Sequence, residues 1–309
     1  MKARLWTILL LTALVVGACG GSDGATTNTS ADTGTTADTT ADTTADTTAA
    51  AGGDDLLAKI LADGEIVVST DPAYPPQSEL NPATNEYEGF DIDVANEIAS
   101  RLGVTVTWET PAWESIVSGS WQDRWQMSVG SMTVTSERAE VLNFAPAYYY
   151  TPAAVAVHAD NTTITDTATD LDGTTIGVCG GCSYHFFLQK TLEIPGYTFD
   201  FVIDDAEIVT YDTDSTAVAD LAIGDGDRLD AAISSLTVFE GAIADGEPIK
   251  VVGDPIYYEP LAAAFDKSSS LDGTSLVDRV SQIVDEMHAD GTMSELSEKW
   301  FGIDYTVTG

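Results

Sequence analysis

From Leu56 onward, apolar residues recur in two alternating rhythms. Short apolar runs, such as 66–68 and 104–108, have the length of buried strands. Between them the spacing opens to three and four: Ile92, Ala95, Ile98, Ala99 and Leu102 line one face of a predicted helix that Gly103 stops. A short helix over 113–119 and a strand over 126–129 follow. Past Pro152 the rhythm resumes, predicting strands at 153–157, 175–178, 208–211, 230–233 and 250–252. Helices are expected to begin near Ser183 and to cover 214–223. A strand at 262–265 and helices over 271–289 and 293–300 complete the chain. Strands and helices in alternation predict α/β layers.

Two Pro- and Tyr-rich segments, APAYYYTP at 145–152 and DPIYYEP at 254–260, frame the central block and echo one another. A repeated segment at both borders predicts an inserted lobe whose chain enters and leaves side by side. The expected division is lobe 1 over 54–150 and 257–305 and lobe 2 over 151–256, joined by a two-strand hinge.

Neither rhythm extends into the first 53 residues. Lys2 and Arg4 precede an apolar run at 5–16 that is too short to span a bilayer, the form of an export signal. Val16-Gly17-Ala18-Cys19 resembles a bacterial lipobox, which implies lipidation at Cys19. Residues 20–53 are Ala, Asp, Thr, Gly and Ser with the repeat ADTTADTTADTT, a composition expected to form a disordered tether. The expected location is therefore the outer face of the cytoplasmic membrane, held by a lipid anchor alone.

Fifty acidic residues against twelve basic ones give a formal charge of −38. That balance argues against nucleic acid and anionic lipid surfaces, which need Lys and Arg. After Cys19 only Cys179 and Cys182 remain, spaced C-x-x-C. In an exported chain a local disulfide is the expected state. A redox-active pair, or a zinc site helped by His185, are the alternatives.

The densest chemistry lies at 128–152. Gly130 and Ser131 follow an apolar strand and allow close backbone approach. Thr135 is placed to cap a helix whose first turn holds Arg138, and an arginine beside free backbone N–H groups suits a carboxylate.

With these segments in hand, the chain resembles the family 3 extracellular solute-binding proteins, which deliver polar amino acids and related solutes to ABC permeases. The matching segments are STDPAYPP at 69–76, GFDIDV at 89–94, MTVTSER at 132–138 and YDTDS at 211–215. Both Tyr-Tyr segments, ADG at 289–291 and KWFG at 299–302 complete the ordered set. The resemblance implies a two-lobe, type II periplasmic-binding-protein-like α/β fold that closes on a small solute. It implies no cofactor, no metal, no catalytic residue and no oligomer, with the permease membrane subunits as partners.

Position by position, the resemblance implies that Tyr74 and Trp113 sandwich the solute. Gly130, Ser131 and Thr133 would line it, and Arg138 would grip its α-carboxylate. Cys182 and Ser183 match a helix start that donates N–H groups to the same carboxylate. Asp71 matches a position that meets a cationic side chain in some members, and otherwise reads as a turn residue before proline. Two departures stand out. Ser235 occupies the position where the family holds the α-ammonium with an acid, and Gln77 replaces a common aromatic residue. The expected function is capture of a carboxylate-bearing solute, most simply a polar amino acid. Alternatives are a compatible solute boxed by aromatic rings, a dehydratase-like enzyme using Glu259, and a thiol oxidoreductase using Cys179 and Cys182.

Overall fold

A computed structural model describes residues 54–307; the export signal, Cys19 and the tether lie outside the described residues. In chain order the first elements are α1 (Leu56–Asp63), β1 (Glu65–Ser69), β2 (Ala73–Tyr74), β3 (Ser78–Asn81), β4 (Glu86–Glu88), α2 (Phe90–Leu102) and β5 (Thr105–Glu109). Next come α3 (Trp113–Val117), β6 (Met127–Thr133), α4 (Arg138–Val141), β7 (Leu142–His158), β8 (Thr175–Cys179), α5 (Ser183–Leu188) and β9 (Glu207–Tyr211). The last are α6 (Asp214–Leu221), β10 (Ala231–Ser235), α7 (Leu236–Asp245), β11 (Ile249–Asp266), α8 (Thr274–Asp290) and α9 (Thr292–Phe301). No helix among the described residues is long and apolar enough to cross a membrane.

Eight strands share one sheet in the order β5-β1-β6-β11-β7-β10-β8-β9, and β2-β3-β4 form a small second sheet. Parallel pairs occupy the two ends, β5 with β1 and β6 at one, β10 with β8 and β9 at the other. Between them β7 and β11 run antiparallel for 17 and 18 residues. At about 3.3 Å per residue each spans on the order of 55 Å, enough to pass from one parallel layer into the other. Their register sets Tyr149 against Leu261, Thr151 against Glu259 and Pro152 against Tyr258. The two echoing segments of the sequence are therefore paired with each other, and the fold has two α/β lobes joined by a two-strand hinge.

Each layer buries its own apolar face. On the β1–β6 side, Ile60, Ile66, Val68, Phe90, Ile98 and Met127 pack with Leu276, Val280, Ile283, Val284 and Met287 of α8. The α8 residues recur every three or four positions, so one stripe of that helix turns inward. On the other side Ile176, Val178, Phe187 and Ile233 form a separate cluster with Tyr257. Burying each such side chain contributes roughly 1.5–3 kcal/mol. Phe90 meets Tyr149 edge-on at 4.8 Å, and Phe301 stacks on Tyr149 at 5.9 Å, which ties α2 and α9 to the hinge strand.

Three features depart from the sequence expectation. Helix α1 buries only Leu56 and Ile60, too sparse a stripe to register, and is fixed by Asp55 Oδ1 accepting from Ala58 N at 2.7 Å. Sheet β2-β3-β4 consists largely of polar and acidic residues. Helix α7 mixes Thr, Val and Gly into its sequence, which lowers helix propensity, yet buries Val238 and Phe239.

Candidate functional site

A narrow cavity opens where loops from both ends of the sheet converge. Asp71, Tyr74, Trp113, Gly130, Ser131, Thr133 and Arg138 line it from one side. Cys179, Cys182, Ser183, Tyr184 and Asp214 line it from the other. These residues sit where strands end: Asp71 after β1, Cys182 and Ser183 after β8, Asp214 after β9. Ligand crevices of α/β sheets lie outside the carboxyl ends of strands for the same geometric reason.

Arg138 is held at this wall by short-range structure. Thr135 Oγ1 accepts from Arg138 N at 3.2 Å, but the N-cap of the four-residue α4 is Glu137, whose side chain makes no cap bond. The side chain is 4% exposed. Its Nη1 donates to Thr133 O at 2.9 Å and its Nη2 to Gly181 O at 3.0 Å, while Nε has no hydrogen-bond partner among the described residues. The guanidinium carbon lies 5.0 Å from the Trp113 ring centre, and Trp113 Nε1 also donates to Gly181 O. Burial lowers the guanidinium to about 10, with the Glu259 charge opposing the shift, so it stays cationic at neutral pH. A buried fork with an unspent donor suits a planar anion such as a carboxylate.

Behind this wall lies Glu259, 1% exposed. Thr133 Oγ1 and Ser183 Oγ donate to its Oε2, and Tyr184 OH to its Oε1, each at 2.6 Å. Burial raises its pKa against those hydrogen bonds. The carboxyl considered above as an acid–base candidate is thus wrapped by three hydroxyls and is not part of the cavity lining. Because Thr133 and Ser183 donate inward, their oxygens keep acceptor capacity for the solute side.

Gly130 and Ser131, expected as a turn after the strand, instead lie inside β6, which continues to Thr133. Ser131 adopts a left-handed φ of 52°, unusual for a side chain with a Cβ, and the conformation is held by hydrogen bonds. Ser131 N donates to Tyr148 OH at 2.9 Å, and Ser131 Oγ donates to Asp91 Oδ2 at 2.8 Å. Tyr148 OH donates to Asp91 Oδ1 at 2.7 Å. Asp91 is fully buried, and desolvation pushes it up to about 7 despite those two hydroxyls. Burial also raises Asp214 to about 7, with Asp71 and Glu259 adding to the rise against a hydrogen bond from Ser234.

The sign of the resulting pH dependence follows from proton counting. In an unfolded chain an aspartate titrates near 3.9. Between about 4 and 7 the folded protein holds protons on Asp91 and Asp214 that the unfolded chain has released, so stability falls as pH rises through that window. Thermal melting should therefore be higher at pH 5 than at pH 8, and Asp91→Asn should narrow the gap. Comparison with that variant separates the buried carboxyl from general relief of negative charge. An unchanged gap in Asp91→Asn would assign the pH effect elsewhere.

Cys179 and Cys182 are joined in a disulfide, with Cα atoms 5.5 Å apart, and both line the cavity. The bond closes the turn that carries Gly180 and Gly181. Changing both cysteines to serine is expected to cost about 2 kcal/mol of stability on the chain-entropy account of so small a loop. Solute affinity should fall less than tenfold, because the acceptor at Gly181 is retained. Loss of all binding by a folded double variant would give the sulfurs a direct role.

Ser235 stands apart from the other proposed positions. It is fully buried, with its Oγ 2.6 Å from Thr151 Oγ1 and 2.7 Å from Thr237 Oγ1. Thr237 in turn accepts from Gln77 Nε2 at 2.6 Å, so the two departures noted in the sequence share one chain of hydrogen bonds. The cavity instead receives Asp214 and Tyr184, neither of which residue type alone would single out. The usable signal for Asp214 was its place in the first turn of a helix that directly follows a strand end, the same grammar that drew attention to Ser183. One Asp214 carboxylate oxygen lies within 4.8 Å of both sulfurs. Asp71 combines both of its readings: Oδ1 accepts from Ala73 N at 2.8 Å in a turn, and the residue also lines the cavity.

Comparison with known proteins gives this geometry a context. The sequence profile of the bacterial extracellular solute-binding proteins, family 3, matches residues 66–303. The chain is 29% identical over 310 residues to "Probable amino-acid-binding protein YxeM" of Bacillus subtilis, covering 99% of this chain and 98% of that protein. It is 26% identical over 254 residues to the L-cystine-binding protein TcyJ of Escherichia coli, covering 82% of this chain and 88% of the relative. Among solved structures, an ancestral arginine-binding protein bound to arginine superposes with a TM-score of 0.66 at 26% identity, over 77% of this chain and 99% of that one. The chain belongs to the family 3 bacterial extracellular solute-binding proteins.

Proposed function

We propose that this protein captures a small carboxylate-bearing solute, most simply a polar amino acid, by closing its two lobes, and passes it to an ABC importer. Arg138 carries this reading: it is a buried guanidinium with an unspent Nε donor at the wall of a cavity that both lobes line. Tyr74 and Trp113 flank the solute, Gly130, Ser131 and Thr133 contact it from lobe 1, and Cys182 and Ser183 meet it from lobe 2. Lobe 1 comprises 54–150 and 257–305, and lobe 2 comprises 151–256. Solute that touches both lobes stabilises the closed form, and the permease reads that form.

The membrane link is Cys19, lipidated after removal of the export signal, with residues 20–53 as the tether. The protein acts as a monomer outside the cytoplasmic membrane and needs no cofactor.

A thermal-shift panel of the twenty common L-amino acids, L-ornithine, L-cystine, ectoine and glycine betaine tests the proposal. A true ligand at 100 times its dissociation constant adds about 2.7 kcal/mol to stability. A shift with one or more amino acids is the expected result. Shifts confined to ectoine or betaine would keep the carboxylate but overturn the amino acid, and no shift at all would overturn the proposal.

A further inference from the structure

Ser235 lies where relatives are expected to place the acid that holds an α-ammonium, yet here its hydroxyl is sealed between Thr151 and Thr237. A zwitterionic solute anchored on Arg138 still carries a cation that needs a partner. Drawn out of water, an ammonium left without an acceptor would be costly. Two carboxylates line the same cavity from elements at opposite ends of the sheet: Asp71 from the loop after β1, and Asp214 from the first turn of α6. Asp214 is 5% exposed, and its Oδ1 is oriented by Ser234 Oγ, the neighbour of Ser235 on β10. Beside it, Ser215 Oγ donates to Ala73 O at 2.7 Å, which brings the start of α6 against the turn that Asp71 builds.

We propose that Asp214 receives the solute's ammonium in place of Ser235, and that Asp71 and Asp214 together form a two-carboxylate clamp that favours closure on a cation. This rests on the amino-acid reading above and goes beyond it by naming the group that selects the amino end. The electrostatics are simple. Bringing two carboxylates to one low-dielectric cavity costs repulsion and desolvation, and a cation between them removes both costs at once. Solutes with a carboxylate but no cation satisfy Arg138 and leave the clamp repelling itself, so they are rejected.

A proton can relieve the same repulsion, which makes affinity depend on pH. The charged and titratable groups facing Asp214 are Asp71, Glu259 on β11, Arg138, and the phenols of Tyr74, Tyr184 and Tyr257. The burial of the three tyrosines holds them far above neutrality. Arg138 stays cationic. Asp214 is pushed up to about 7. Asp71 and Glu259 are raised too. Amino-acid affinity therefore drops as pH falls below about 7, where Asp214 takes up a proton and no longer pairs with the ammonium.

The test is calorimetric titration with the twenty L-amino acids, L-ornithine and L-cystine, and with the α-hydroxy acids that match those bound. The proteins are the wild type, Asp214→Asn, and Asp214→Asn combined with Ser235→Asp. For amino acids that the wild type binds, Asp214→Asn should weaken affinity by tenfold or more, since a charge-assisted hydrogen bond is lost. The matching α-hydroxy acid should bind Asp214→Asn at least as well as wild type, a reversal that mere loss of structure does not produce. Wild-type affinity should also fall between pH 8 and pH 5.5, with a flatter profile in Asp214→Asn. Amino-acid affinity in Asp214→Asn within threefold of wild type would overturn the clamp. Adding Ser235→Asp should not restore affinity, because position 235 is sealed between Thr151 and Thr237. If the wild type binds none of the amino acids, the amino-acid reading itself fails, before any variant is made.

Discussion

Arg138→Ala is expected to raise the dissociation constant for an amino-acid solute by about a thousandfold, roughly 4 kcal/mol. The size follows from what the truncation leaves behind. A carboxylate drawn into a cavity without its guanidinium forfeits a forked, charge-assisted pair and still pays for leaving water. The remaining donors in that corner, the N–H groups at the start of α5, recover only part of this. Arg138→Lys should fall between the two, because an ammonium keeps the charge but not the planar fork. Calorimetry on folded protein, checked by circular dichroism, decides the matter. Affinity in Arg138→Ala within threefold of wild type would place the solute's carboxylate elsewhere.

Gly89→Ala should be the most destabilising single-methyl change near the cleft, costing on the order of 3–5 kcal/mol. Gly89 precedes α2 with φ 136° and ψ 174°, a conformation that side chains with a Cβ rarely adopt. A Cβ there would stand 2.2 Å from Gln77 O, 2.5 Å from Gln77 C and 2.8 Å from Ser78 N. Those neighbours are backbone, so no side chain can swing away to make room. The contact exists because the first turn of α2 is stitched to the preceding loop: Phe90 N donates to Pro76 O at 3.2 Å and Asp91 N to Gln77 O at 2.8 Å. Urea unfolding should show a lower midpoint with an unchanged slope. A loss below 1 kcal/mol would mean that the loop yields easily. Displacement of Asp91 and Gln77 should weaken solute binding as well, since Asp91 braces Ser131 and Gln77 reaches Thr237.

Much of the fold was legible because its elements announce themselves locally. Helices α2 and α8 carry full apolar stripes, and the terminal strands are β-branched runs of the right length. The hinge was legible through repetition: two similar Pro-Tyr segments turned out to be mutual partners across β7 and β11. Their continuity was not, because Pro146, Pro152, Pro255 and Pro260 read as breaks between short strands. Helix α1 and the small sheet escaped because they bury little, and local pattern records only what burial imposes.

The candidate cavity shows the same boundary between local and tertiary information. Residues at strand ends with distinctive chemistry, such as Arg138, Trp113 and the paired cysteines, were visible as types in place. Ser235 was not separable from its neighbours: whether a hydroxyl faces a cavity or another hydroxyl depends on Thr151 and Thr237, one of them 84 residues away. Asp214 was hidden for the converse reason. An aspartate at a helix start reads as a helix-stabilising residue, and only the packing of α6 against the turn at Ala73 brings it to the cavity.

The acceptor shared by Arg138 and Trp113 is a peptide carbonyl, that of Gly181. This bears on how such a protein changes over generations. No codon change can delete a main-chain oxygen, so this acceptor at the cleft is inherited as long as the chain's path is. Arg138, Asp71 and Asp214 have no such protection, because single substitutions remove or replace them. A lineage built this way is free to trade one solute for another by altering side chains while the carbonyl that receives them across the cleft stays beyond the reach of mutation.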